Sequence, residues 1–206
     1  MAQQTADFFE IAAGRRSVKN YDPESKLTKG EVEELIELAA KAPSAWNLQH
    51  WKFLVFHGGE AQQRLLPIAY NQQQIVEASA VFAVLGDLEA NKNAEPVFSQ
   101  DVSDGLMTEE IKQILIKQVE GAYKAKSKAR DAAFSNASLA AMQLMLAAKA
   151  KGLDTCPIGG FNVPAFIEEF SVSDRYVPIM LITVGKAAKP GRPTNRLAVE
   201  QISEWI

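Results

Sequence analysis

The sequence is poor in residues that would announce a chemistry by themselves. Cysteine is nearly absent: Cys156 stands alone, so no internal disulfide can form. That suits a reducing compartment and excludes a secreted disulfide scaffold. The two histidines, His50 and His57, have no partner at zinc-ligand spacing, and a lone histidine is more often structural. Positive charge is not in excess, with 22 Lys+Arg against 25 Asp+Glu and a net charge of −3, so nucleic acid is not an expected partner. No uninterrupted apolar run is long enough to span a bilayer. The longest apolar-rich stretch, Ala132–Ala150, is broken by Ser135, Asn136, Ser138, Gln143 and Lys149, so it reads as a buried helix and no membrane is expected. Met1 to Asp7 has neither the basic nor the apolar region of a signal peptide, which points to the cytoplasm. GxSxG, P-loop and GxGxxG motifs are missing, as is any evident acid–base pair. An enzyme built this way would borrow its reactivity from a cofactor.

What is present is ordinary globular material: 47% hydrophobic and 23% charged over 206 residues. A chain of that length buries about 70% of its unfolded surface without a staple, and a single domain over 1–206 is expected. Phe8–Ala13 reads as a short helix closed by Gly14. Thr28 and Glu31 form a capping box ahead of Val32, Leu35, Ile36 and Ala39, in a helix that should stop before Pro43. Trp51–Phe56 reads as a strand, and Ala80–Leu85, apolar throughout, as a strand buried on both faces. Short helical pieces are expected between them, about 60–66 and 72–78. Residues 91–108, with Pro96 and Gly105, suggest a long irregular loop or a helical excursion. Thr108 should cap a helix with Ile111, Ile114, Leu115, Val119 and Ala122 inward, and Lys112, Lys117, Lys124 and Lys126 solvated. The alanine-rich Ala132–Lys151 has no clean polar face and reads as a central helix or a subunit interface. Val177–Val184 is a final strand, followed by a basic tail. The whole is a helix-rich α+β pattern.

Four segments stand out. Arg15-Arg16-Ser17-Val18-Lys19 gathers three cations and a hydroxyl, donors suited to a phosphate; a solvated basic turn or a nucleic-acid arm would use the same residues. Ala42 to Trp51 interleaves Ser44, Asn47 and Gln49 with Trp46 and Trp51, a mixture suited to a flat heteroaromatic ligand or to a polar turn over a core tryptophan. Asn71-Gln72-Gln73-Gln74 offers uncharged amides that could read a ring edge or simply cap a helix. Cys156-Pro157-Ile158-Gly159-Gly160-Phe161 carries paired glycines that let backbone N–H groups approach a ligand, or that make an ordinary turn.

In this order, the segments resemble the FMN-dependent nitroreductase family over about Phe8–Arg196. The specific parts are Arg15 to Tyr21, Ala42-Pro43-Ser44 with Asn47 and Gln49, Pro157 to Phe161, and Gly185 followed by Pro190-Gly191-Arg192-Pro193 and Arg196. The resemblance implies an α+β fold with a central, mostly antiparallel sheet flanked by helices. It also implies an intertwined homodimer with FMN at the subunit interface. Arg15, Arg16, Ser17 and Lys19 would hold the phosphate, ribityl and pyrimidine side of FMN, with Arg196 and Arg192 completing the phosphate site. Asn71 and Gln74 would lie near the ring's polar edge. Pro43, Ser44, Ala45 and Asn47 would come from the other subunit. Pro157, Ile158, Gly159 and Gly160 would cover one ring face and bring a backbone N–H to flavin N5. Lys19 stands where arginine is frequent in the family, His50 where proline is, Gly159 where glutamate is, and Gln74 where lysine is. The last exchange removes a positive charge and implies a lower flavin reduction potential.

The function the resemblance implies is NADH- or NADPH-dependent ping-pong reduction of a nitroaromatic, quinone or similar acceptor. No side chain is singled out as catalytic. The competing readings are a flavin-sequestering protein without turnover and a related flavoenzyme of the dehalogenase or dehydrogenase type.

Overall fold

The computed structural model describes residues 7–206, so the opening residues behind the expectation of no leader lie outside it. Some of the helices begin where a side chain satisfies one of their first N–H groups. In α1 (Phe8–Gly14) the Asp7 carboxylate accepts the Phe9 N–H. In α2 (Lys29–Ala39) the Thr28–Glu31 capping box closes in both directions, leaving fewer orphan donors. After a 3₁₀ turn at Ala45–Asn47 come β1 (Trp51–Phe56), α3 (Gly59–Ile68), α4 (Gln74–Glu77) and β2 (Ala80–Asp87). Then follow α5 (Ala94–Ser103), α6 (Glu109–Ala122), α7 (Lys126–Ala150), β3 (Asp154–Ile158), α8 (Val163–Glu169), β4 (Tyr176–Gly185) and α9 (Val199–Ile202).

The four strands form one antiparallel sheet in the order β1-β2-β4-β3. Every residue of β2 is buried, and its two faces serve different layers because side chains alternate along a strand. Ala80, Phe82 and Val84, with Ile182 and Val184 of β4, pack against α2 and α7. Val81, Ala83 and Leu85, with Leu181, pack toward α3, α4 and α8. The alanines of α7 let it approach closely. At Gly86 a Cβ would come within 3.0 Å of the Ala133 carbonyl oxygen. The expected α+β architecture, a helix-flanked antiparallel sheet, is therefore the one observed.

Of the two alternatives for residues 91–108, the helical excursion is the one observed: a 3₁₀ turn over Ala90–Asn93 leads into α5. Pro96 falls in the first turn of α5, where the missing N–H breaks no intrahelical bond. Helix α6 is rotated relative to its expected inward face. Ile111 and Ile114 are 48% and 51% exposed, whereas Lys112 is buried rather than solvated. The Lys112 ammonium reaches Glu95 at 2.7 Å and Ser99 at 2.8 Å across the α5–α6 contact, and Glu95 holds its pKa up. Leu115 and Val119 lie inward as expected, and Ile116 and Tyr123 join them in place of Ile111 and Ile114, with Lys112 capping the stripe. Lys117, Lys124 and Lys126 are exposed as expected. Strand β3 and helix α8 went unread; β3 carries Asp154, Thr155 and Pro157 in place of an apolar run. Among the described residues, no helix is long and apolar enough to cross a membrane.

Candidate active site

The first segment leaves α1 and runs along β3. Ser17 forms a parallel bridge with Thr155, and the Val18 N–H donates to the Thr155 carbonyl at 3.0 Å. The C-terminal tail then folds back over it. The Ala188 N–H donates to the Asn20 carbonyl at 3.0 Å, and Gly191 lies flat on Arg16 and Ser17. A Cβ at Gly191 would sit 2.7 Å from Arg16 Cβ and 2.9 Å from the Ser17 carbonyl oxygen, so glycine is what permits the closure. Strand edge and tail together enclose a cavity of about 580 Å³ lined by Arg15, Arg16, Ser17, Lys19, Arg192 and Arg196, with no acidic residue in its wall.

The donor set of this cavity fits an anion. Arg15 Nη1 is buried without a hydrogen-bond partner, and an unpaired buried cationic donor is costly. A phosphate group would supply the missing acceptor and could be gripped bidentately. Thr194, which the sequence did not single out, accepts a 2.7 Å hydrogen bond from Arg196 Nη1 and orients that side chain. Cys156 lies nearby in β3. Desolvation pushes its thiol up, against the opposing pull of Lys19, Ser17 and Arg15, which leaves it an unreactive buried group.

The fourth segment continues from the end of β3. Gly159 and Gly160 are exposed and face open space, while Pro157 is half-buried and Ile158 buried. The third segment is tied to it: Gln72 Nε2 donates to the Gly160 carbonyl at 2.9 Å, and Gln74 Nε2 to Gln72 Oε1 at 3.1 Å. Asn71 is exposed with φ 56°, and Gln74 is buried. Neither lines the arginine cavity.

The second segment stands apart. Pro43, Ser44, Ala45 and Asn47 do not line the arginine cavity. Ala45 is held to α7 instead, its N–H donating to Asn136 Oδ1 at 2.8 Å. Farther along the same helix, Met142 borders a hollow shared with Arg15, Arg16 and Arg196. Asn136 and Met142 are six residues apart, roughly 9 Å along the axis. The exposed Leu139 lies on the α7 surface between these two stations. Asn136, read from sequence only as an interruption of an apolar stretch, is thus the anchor of the second segment.

The bend of that segment is strained. Trp46, Asn47 and Gln49 have φ of 51°, 55° and 52°, a region that non-glycine residues enter at a cost and that clusters at functional sites. Ser44 Oγ, accepting the Gln49 N–H at 2.9 Å, helps hold it. Immediately after it, His50 is fully buried with both ring nitrogens unpartnered, and desolvation pushes its pKa down to about 4. Its ring stacks on Tyr123, whose buried hydroxyl is also unpartnered and pushed up to about 12 by desolvation. Among the described residues, no group of three or more His, Cys, Asp or Glu is placed to hold a metal ion.

Comparison with known proteins gives one answer. The family model described as Nitroreductase family matches residues 12–186. YodC of Bacillus subtilis (strain 168), which carries a provisional NAD(P)H nitroreductase name, is 57% identical over 197 residues, covering 96% of this chain and 98% of that protein. The CLA biosynthesis enone reductase of Lactiplantibacillus plantarum is 34% identical over 97% of this chain and 94% of its own length. Among solved structures, a provisionally named nitroreductase from Exiguobacterium sibiricum, crystallised in complex with FMN, is 40% identical and superposes with a TM-score of 0.94 over 100% of both chains. With its sheet order, its basic cavity and its near full-length relatives in agreement, the chain belongs to the nitroreductase family.

Proposed function

We propose that the protein is a cytoplasmic FMN-dependent oxidoreductase, one domain over 1–206, that works as a homodimer and transfers electrons from NADH or NADPH to an oxidised acceptor by ping-pong turnover. The observation that carries this reading is the arginine cavity with the unpaired, buried Nη1 of Arg15, in a chain similar to a protein crystallised with FMN. FMN, when bound, supplies reversible two-electron hydride chemistry. This chain's residues bind and orient it. Arg15, Arg16, Arg192 and Arg196 neutralise the phosphate, and Ser17 and Lys19 serve the ribityl and pyrimidine side. Asn71 and Gln74 face the polar edge of the ring. Pro157, Ile158, Gly159 and Gly160 cover one ring face and offer a backbone N–H. Pro43, Ser44, Ala45 and Asn47 act on the FMN of the partner subunit, consistent with their separation from the arginine cavity of their own chain. The cationic surroundings favour the added negative charge of reduction. Nitroaromatics, quinones and similar conjugated electrophiles are the expected acceptors.

Anaerobic titration of the flavin-loaded protein with NADH and with NADPH tests the reading. Rapid bleaching by at least one nucleotide, reversed by a quinone or nitroarene, is expected. Bound flavin that neither nucleotide reduces at a turnover-competent rate would make the protein a flavin carrier, and failure to retain FMN after reconstitution would reject both roles.

A further inference from the structure

Just past helix α3, two consecutive non-glycine residues turn the chain through the left-handed region, Tyr70 with φ 55° and Asn71 with φ 56°. Such a backbone is costly and persists where its neighbours hold it. Gln72 clamps that turn. Its backbone N–H and its side-chain Nε2 both donate to the Ala69 carbonyl, at 3.2 and 2.9 Å. The same Nε2 gives its other proton to the Gly160 carbonyl at 2.9 Å. Helix α4, which follows, is fixed from within: buried Gln62 Nε2 donates to the Ile75 and Ala78 carbonyls at 2.7 and 2.8 Å. Gly159 and Gly160 have little such support from packing. Both are exposed, and a Cβ on either would meet nothing within 4 Å. Successive glycines leave the backbone unusually free, so the bond from Gln72 restrains what packing leaves open.

The partners also decide which way each amide faces. Carbonyl oxygens only accept, so the end of Gln72 that meets two of them is its NH₂ group, and its Oε1 remains an acceptor. What Gln74 brings to that Oε1, at 3.1 Å, is therefore its own NH₂ group. Gln74 Oε1 is left without a hydrogen bond among the described residues, yet it is not closed off inside the protein.

We propose that Gln72 is a positioning residue of the flavin site, setting two contacts at once. It presents Gln74 oxygen-first to the N3–H of the flavin ring, and it holds the glycine pair with a backbone N–H toward N5. This rests on the reading that Gln74 and the glycine pair lie at the ring. The pyrimidine edge of a flavin carries one donor, N3–H, between two carbonyl acceptors. An amide turned oxygen-first suits that donor, whereas a lysine, which only donates, does not. N5 of the oxidised ring accepts, which suits a backbone N–H. Without Gln72 the Gln74 amide is free to turn over and the glycine pair to leave its conformation.

Two analogues read the two contacts separately. 3-Methyl-FMN has no N3–H, and 5-deaza-FMN has a C–H in place of N5. Protein freed of flavin is titrated with FMN and with each analogue by flavin fluorescence, so the readout is a ratio of Kd values and not turnover. The wild type should prefer FMN to each analogue by roughly fivefold or more, the worth of one hydrogen bond. Gln72→Met keeps the side chain's length and removes its polar atoms, and both preferences should fall by about threefold or more. Gln72→Glu keeps an oxygen for Gln74 but sets an oxygen against the Ala69 and Gly160 carbonyls, so the preference over 5-deaza-FMN alone should fall. Gln73→Met, at an exposed neighbour bonded only to Asn71, should change neither ratio. Both preferences intact in Gln72→Met, or an equal fall in Gln73→Met, overturns the positioning role. Should Gln72→Met fail to fold, an unchanged preference over 5-deaza-FMN in Gln72→Glu overturns it instead. Wild-type protein that binds FMN with neither preference takes Gln74 and the glycine pair away from the ring, and the proposal falls while the arginine site stands. Wild-type protein that retains no FMN overturns the flavoprotein reading itself.

Discussion

Gln74 is the residue at which the proposed chemistry is most open to tuning. Its amide is buried and committed to Gln72, which in turn holds the Gly160 carbonyl. The position therefore belongs to a rigid network joining the third and fourth segments, yet it brings no charge. A lysine there would add a cation beside the pyrimidine edge, and charges a few ångströms apart in a partly buried site interact by several kcal/mol. For a two-electron couple, about 30 mV corresponds to about 1.4 kcal/mol. Gln74→Lys should accordingly raise the midpoint potential of bound FMN by tens of millivolts, as read by anaerobic spectroelectrochemical titration. Burial lowers a lysine's pKa, so the gain should be largest at low pH and shrink as the pH rises through that depressed value. A midpoint that does not rise would remove Gln74 from the flavin's edge.

At the scale of elements, the helix–sheet contact is decided by small residues. Helix α7 meets β2 where Gly86 faces Ala133, and a Cβ at Gly86 would lie 3.0 Å from the Ala133 backbone oxygen and 2.9 Å from Ile179 Cδ1. Because one obstacle is backbone, a rotamer change cannot relieve the clash. Gly86→Ala should cost about 1–3 kcal/mol through overpacking. In a chain of this size that lowers the thermal midpoint by roughly 2–4 °C per kcal/mol, and an unchanged midpoint in calorimetry would show that α7 can slide. The same elements show what the sequence could and could not convey. Strand β1 and the capped start of α2 were legible because periodicity and caps are local signals. The phase of α6 was not, because Lys112 is drawn inward by Glu95 and Ser99 of another helix. Strand β3 was hidden because its pairing with β4 and its contact with Ser17 are long-range, and its own residues are half polar. At the site, the cationic segment and Arg196 were legible as charge. Asn136 was not, since one amide among alanines acquires meaning only from what packs beside it.

At the scale of the whole molecule, the separation of the second segment from the arginine cavity has a consequence that only a dimer can express. Within one chain, Ala45 sits by Asn136 and the arginines lie toward Met142, with Leu139, 47% exposed, on the α7 surface between these stations. If two copies meet across this surface, each copy's Ala45 faces the other's arginines, and an isologous contact makes two identical composite sites. Two different defects then become separable. Arg16→Ala removes a charged phosphate contact, about 2 kcal/mol or roughly a 30-fold loss of FMN affinity. Ala45→Phe obstructs the ring from the other side, and the exposed position of Ala45 lets the larger side chain be carried without burying it. Each homodimer should lose FMN. A heterodimer of the two variants contains one site built from intact Arg16 and intact Ala45, and one site carrying both defects. Unfolded, mixed in equal amounts and refolded, the variants should recover about a quarter of wild-type FMN occupancy, since half the dimers are heterodimers and each restores one of two sites. No recovery in a mixture shown by mass to contain heterodimers would place Ala45 beside the FMN of its own chain, and the composite site would be wrong.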